Sequence, residues 1–168
     1  ATKLTMGIIE TKLKEHNLMG NTKRKVVKYG QYIMLGDFRI EFIRINHSIA
    51  DACALAIYTP AGIIIHTGDF KVDYTPVFGE PIDLQRFGEI GKKGVLAMLC
   101  DSTNVMRTGY TMSEKTVGKT FDNIFSDNQN SRIIVATFAS NVDRVQQIIN
   151  SAAKYNRKVA VEGRSMVN

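Results

Sequence analysis

The chain has 168 residues, 44% of them hydrophobic, with 22 lysines and arginines against 16 acidic residues. That much apolar material supports a packed core and excludes wholesale disorder, and no run reaches the roughly 18 apolar residues of a membrane span. The basic excess suits an anionic partner. The start, "ATKLTMGIIETKLKEH", carries charges throughout and is no secretory signal, so a cytoplasmic location without a membrane partner is expected.

In chain order, the spacing of Leu4, Ile8, Ile9 and Leu13 predicts a helix over 2–16, stopped by 17–20. His16, among charges at its end, reads as a solvated residue, and Lys23, Arg24 and Lys25 as a solvated basic loop. Short runs on either side of Gly30 open a β-rich stretch. "FRIEFIRI" alternates Phe38, Ile40 and Phe42 against Arg39 and Glu41, the mark of a half-buried strand. "CALAIYTPAGIIIHTGD" reads as a hairpin turning at "TPAG". Residues 71–93, with two prolines and three glycines, read as loops, and "GVLAMLC" as a buried strand. Cys53 and Cys100 lie in apolar runs and read as reduced core thiols.

After residue 108 the pattern changes. Val117, Phe121, Ile124 and Phe125 fall at helical spacing behind Ser113 as cap. "SRIIVATF", "NVDRVQQIINSAAKY" and "RKVAVEG" follow as strand, helix and strand, a parallel βαβ unit. The class expected is α/β with an α+β leaning, in two domains, 1–108 and 109–168.

Chain direction sharpens the reading. The strand 38–45 ends just before His47, and 62–67, running the same way across the hairpin, ends just before Asp69. If 95–100 runs parallel to 62–67, Asp101 joins them. One sheet rim then presents an imidazole and two carboxylates, all ordinary metal ligands. Gly68 permits the sharp turn that lets Asp69 face the rim. On spacing alone these three residues read equally well as turn formers.

The stretches "NHSIADACALAIYTPAGIIIHTGDFKVDYTPV" and "LCDSTNVMRTGYTMSE" resemble the metallo-β-lactamase-fold nucleases of the beta-CASP group, in particular the bacterial ribonuclease J family. "ATFASNVDRVQQII" and "EGRSMVN" resemble the start of that family's beta-CASP domain. The resemblance implies part of an αββα metallo-β-lactamase sandwich joined to the first half of a beta-CASP α/β domain. It implies a metal-dependent ribonuclease with 5′-to-3′ exonuclease and endonuclease action on single-stranded RNA, two zinc ions per site, and a homo-oligomeric parent. Position by position, His47 matches a histidine metal ligand, Asp69 the metal-bridging aspartate, and Asp101 the acid that supports the site from its margin. Asp69 and Asp101 are thus the catalytic candidates, and His47 and Asp69 the metal ligands.

The family's His-x-His-x-Asp-His signature is absent from these residues. The chain is therefore expected to be an internal piece of a longer enzyme, inactive alone and binding zinc weakly or not at all by itself. Ser48 reads as a phosphate contact or a turn cap. "TFASN" reads as a plain cap by Ser140 or Asn141, or as a phosphate site where Phe138 stacks on a base. Arg164 and Ser165 are further substrate-binding candidates. His66 reads as support for the site or as an ordinary strand histidine. Two other functions fit less of the pattern: a thioester or lactone hydrolase of the same fold, and a non-catalytic RNA-binding segment.

Overall fold

Turn chemistry and side-chain alternation build the sheet that carries the rim. The computed structural model describes residues 1–163 and 166. They divide into two compact units, one of residues 1–47, 51–72 and 81–108, the other of 48–50, 73–80 and 109–168. Among the described residues no helix is long and apolar enough to cross a membrane.

The first unit runs through helix α1 (Lys3–Glu15), strands β1 (Tyr32–Leu35), β2 (Phe38–Arg44), β3 (Cys53–Thr59) and β4 (Gly62–His66), helix α2 (Leu84–Gly91) and strand β5 (Ala97–Leu99). The sheet order is β1-β2-β3-β4-β5. The first three pairings are antiparallel, and β4 pairs with β5 in parallel. At the hairpin Thr59 pairs with Gly62. The Thr59 hydroxyl oxygen accepts from the Ala61 and Gly62 N–H groups, both at 3.2 Å, and Pro60 presets the backbone between them. The register Ile43↔Ala54 and Ala56↔Ile65 sets four side chains on one sheet face. They pack with Ile82 and Ile90 as the core. Burying each isoleucine there contributes about 1.5–3 kcal/mol.

Four expectations are corrected in this unit. Residues 71–93 are not all loop, because α2 lies within them. Asp83 caps it, its carboxylate accepting from the Arg86 N–H at 3.0 Å. Gly88 and Gly91 lower its propensity by about 1 kcal/mol each, but the complete burial of Ile90 outweighs them. "GVLAMLC" is an edge strand, with Leu96, Met98 and Leu99 more than half exposed. An apolar run signals a strand without saying whether both of its flanks are covered. Cys100 is accordingly an exposed free thiol, and Cys53 a half-buried one. In α1 only Met6 is buried, while Leu4, Ile8 and Ile9 of the predicted stripe are exposed, since no described element covers them.

In the second unit helices α3 (Glu114–Asp127) and α4 (Val142–Lys154) pack through Phe121, Phe125 and Ala152. Ser113 caps α3, its hydroxyl oxygen accepting from the Lys115 N–H at 3.3 Å. Arg144 donates to both carboxylate oxygens of the buried Glu114, at 2.7 and 3.3 Å. The Asp122 carboxylate accepts from Ser151 at 2.7 Å and Lys154 at 2.6 Å. The expected strands of the βαβ unit, 131–138 and 157–163, do not form a ladder. Their apolar residues favour extended backbone, but a parallel strand exists only against a hydrogen-bonded neighbour, and none is present among the described residues.

Candidate active-site rim

The rim is assembled by the ends of β2, β4 and β5. Beyond β2 the Asn46 carbonyl accepts from the Lys71 N–H at 2.9 Å, forming an isolated antiparallel bridge. The bridge lays the residues after Asn46 alongside those before Lys71, so His47 and Asp69 stand at the same end of the sheet. The buried Asn46 side chain also accepts from the Ile82 N–H at 2.8 Å, tying the segment ahead of α2 to the rim.

Thr67 locks β4 to β5. Its N–H donates to the Leu99 carbonyl at 3.0 Å. Its buried hydroxyl accepts from the Asp101 N–H at 3.0 Å and donates to the Gly68 carbonyl at 2.8 Å. The turn needs Gly68, whose φ is +61° and whose absent Cβ would lie 3.1 Å from the Cys53 carbonyl oxygen. Gly68→Ala is therefore expected to destabilise the chain by about 1–3 kcal/mol. Gly30→Ala, at φ +75° but in open space, is expected to lose less; urea midpoints of the two variants check the order.

Asp101 is oriented locally. One carboxylate oxygen accepts from both the Thr103 N–H at 2.9 Å and the Thr103 hydroxyl at 2.6 Å. These bonds hold its carboxyl below the usual carboxylate range, and the neighbouring His47 pulls it the same way. Asp69 is exposed. His66 is exposed too, and its Nδ1 accepts from the Gly68 N–H at 3.1 Å, so it braces the turn that presents Asp69.

His47, Asp69 and Asp101 thus share one rim. Among the described residues, however, no group of three or more His, Cys, Asp or Glu side chains is placed to hold a metal. In the second unit Asn141 is the cap of α4, its Oδ1 accepting from the Arg144 N–H at 3.1 Å. Ser140 is exposed and Phe138 projects at 81% exposure. The Ser48 carbonyl accepts from the Asp143 N–H at 3.5 Å. Arg164 and Ser165 lie outside the described residues.

Three relatives match nearly the whole chain. Ribonuclease J of Helicobacter pylori strain J99 is 50% identical over 98% of it, that of Synechocystis 47% over 99%, and that of Thermus thermophilus 41% over 98%. Over these residues the chain is similar to ribonuclease J. The model of the ribonuclease J beta-CASP domain matches residues 130–168. The chain spans 24%, 26% and 29% of the length of those three relatives. A crystal structure of a protein of unknown function from Enterococcus faecalis V583 superposes with a TM-score of 0.56 at 19% identity. It covers 77% of this chain and 32% of that one, and the likeness is one of fold.

Two residues of the rim are not signalled by the sequence as functional. Thr67 and Asn46 clamp the rim through partners more than thirty residues away. The only sequence signal for them is a polar residue set between an apolar strand and a candidate ligand.

Proposed function

We propose that the chain is part of a longer ribonuclease J enzyme that hydrolyses phosphodiester bonds of single-stranded RNA at a zinc centre, by 5′-to-3′ exonuclease and endonuclease action. The observation that carries this reading is the common rim of His47, Asp69 and Asp101, in a chain similar to ribonuclease J over 98% of its length. The metal-dependent hydrolytic chemistry implied is activation of a bound water and neutralisation of charge on the phosphate. His47 and Asp69 would contribute donors to such a centre. Asp101, anchored by Thr67 and Thr103, would hold its negative charge at the margin and orient its neighbours.

Among the described residues three donors do not gather, so these do not close a metal site by themselves. On this reading the remaining ligands come from outside the 168 residues. A thioester or lactone hydrolase is disfavoured by the beta-CASP match over residues 130–168.

The lone chain is accordingly expected to bind zinc weakly and to cleave no RNA, since a structural zinc site takes four protein ligands. Calorimetry of the chain and an end-labelled RNA cleavage assay check this. A protein of the relatives' full length carrying the segment is expected to cleave the RNA and to stop when a chelator is added. Tight one-to-one zinc binding by the lone chain, or cleavage insensitive to chelator, contradicts the reading.

A further inference from the structure

Residues 1–28 hold seven lysines and arginines and only two acidic residues, so they carry five of the chain's six net positive charges. Read by sequence, 23–25 is a solvated loop. Helix geometry sets Lys3 and Lys14 on the face of α1 that carries Glu10, and the Arg24–Glu10 ion pair lays the loop against that face. Asn17, at φ 57°, and the Leu18 N–H bonded to the Leu13 carbonyl at 2.8 Å end the helix. A single 3₁₀ turn, Met19–Asn21, then reverses the chain. Residues 22–28 return along α1. Arg24 reaches Glu10 at 3.2 Å, the Ala1 nitrogen donates to the Lys25 carbonyl at 3.1 Å, and the Val27 N–H to the Ala1 carbonyl at 2.9 Å.

The strip this makes is about 20 Å long, from 1.5 Å per helical residue. Lys12 pairs with Glu15 and Arg24 with Glu10. Lys3, Lys14, Lys23, Lys25 and Lys28 are exposed and pair with no carboxylate among the described residues. One end of the strip meets the rim's own loop, where the Leu4 N–H donates to the Asp51 carboxylate at 3.3 Å, four residues past His47. A cavity of about 350 Å³ opens at that end, with Lys3, Lys28 and Tyr29 in its wall. Asp51 also lines it, but its carboxylate is turned to the helix. A cluster of cations without carboxylate partners, beside a cavity with Tyr29 in its wall, fits a strand that carries phosphates and bases.

We propose that this strip is a docking track for the phosphate backbone of single-stranded RNA, leading to or from the rim at the Lys3 end. The identity of the polyanion rests on the ribonuclease reading above; the track itself rests on charge and geometry.

The test is fluorescence anisotropy of a short labelled oligouridylate on the 168-residue chain, with EDTA present so that cleavage plays no part. The triple variant Lys23→Glu, Lys25→Glu, Lys28→Glu is compared with the parent chain between about 50 and 200 mM salt. Affinity is expected to fall at least about tenfold, and the slope of log K against log salt to flatten by about 2, from three phosphate contacts at roughly 0.7 each. Glutamine at the same positions is expected to give a smaller loss in the same direction. Thermal melting by circular dichroism shows that each variant is folded. Unchanged affinity and slope overturn the track. Unchanged RNA binding with loss of polyglutamate binding also overturns it, and assigns the strip to an acidic protein. Absence of nuclease activity in the longer protein, with the strip effect intact, defeats the ribonuclease reading and leaves the strip standing.

Discussion

Asp69→Ala is expected to lower RNA cleavage by the longer enzyme about a thousandfold while leaving the rim folded. A carboxylate that positions a hydrolytic metal supports several kcal/mol of transition-state charge stabilisation, and about 4 kcal/mol corresponds to that factor. Asp69 is exposed. Its removal should therefore change stability by no more than about 0.5 kcal/mol. RNA affinity in chelator should change little, because phosphate contacts elsewhere supply most of it. A melting curve and a binding isotherm taken beside the rate separate loss of chemistry from loss of fold. Near-normal turnover in the variant would mean that Asp69 is only a turn residue.

Glu41→Ala is expected to cost about 3 kcal/mol of stability, more than any surface change in the first unit. Glu41 is 2% exposed on the core face of β2. Its carboxylate accepts from Arg86 at 2.6 and 3.0 Å and from the Tyr58 hydroxyl at 2.8 Å. Burial pushes the Glu41 carboxyl up, but the bonds from Arg86 and Tyr58 outweigh it and hold the group below its ordinary 4.5. Removing one partner of a buried pair costs roughly 3–5 kcal/mol, because the other charge is left without compensation. The lower end applies here, since the Arg86 side chain is 24% exposed and keeps Glu89 as a partner. Replacing Glu41 and Arg86 together by leucine should cost less than the single change. The sign with pH follows from the lowered value. The contribution is fully present above the unfolded carboxyl's range and disappears as pH falls through the folded one. Urea midpoints at neutral and acid pH read both effects.

Some of this was legible in the sequence, for local reasons. The β3–β4 hairpin is written in "TPAG" between two apolar runs, and the α3 cap in Ser113. Chain direction sends His47 and Asp69 to one end, and Asp101 joins them because 95–100 runs parallel to 62–67. What stayed hidden depends on distant partners. Helix α2 looks like loop until Ile90 is seen buried against the sheet. The run at 95–100 is apolar whether or not a neighbour covers it. The segments 131–138 and 157–163 have the composition of strands without a ladder to join. Thr67 and Asn46 became visible as clamps only when the ends of β2, β4 and β5 were brought together.

The most direct measurement is anomalous diffraction at the zinc edge from crystals of the full-length protein carrying this segment. The expected result is a metal peak about 2.0–2.2 Å from an imidazole nitrogen of His47 and from a carboxylate oxygen of Asp69. Asp101, still bonded to Thr103, should lie beside that centre. A zinc peak whose ligands include neither His47 nor Asp69 would contradict the assignment of this rim to the catalytic centre.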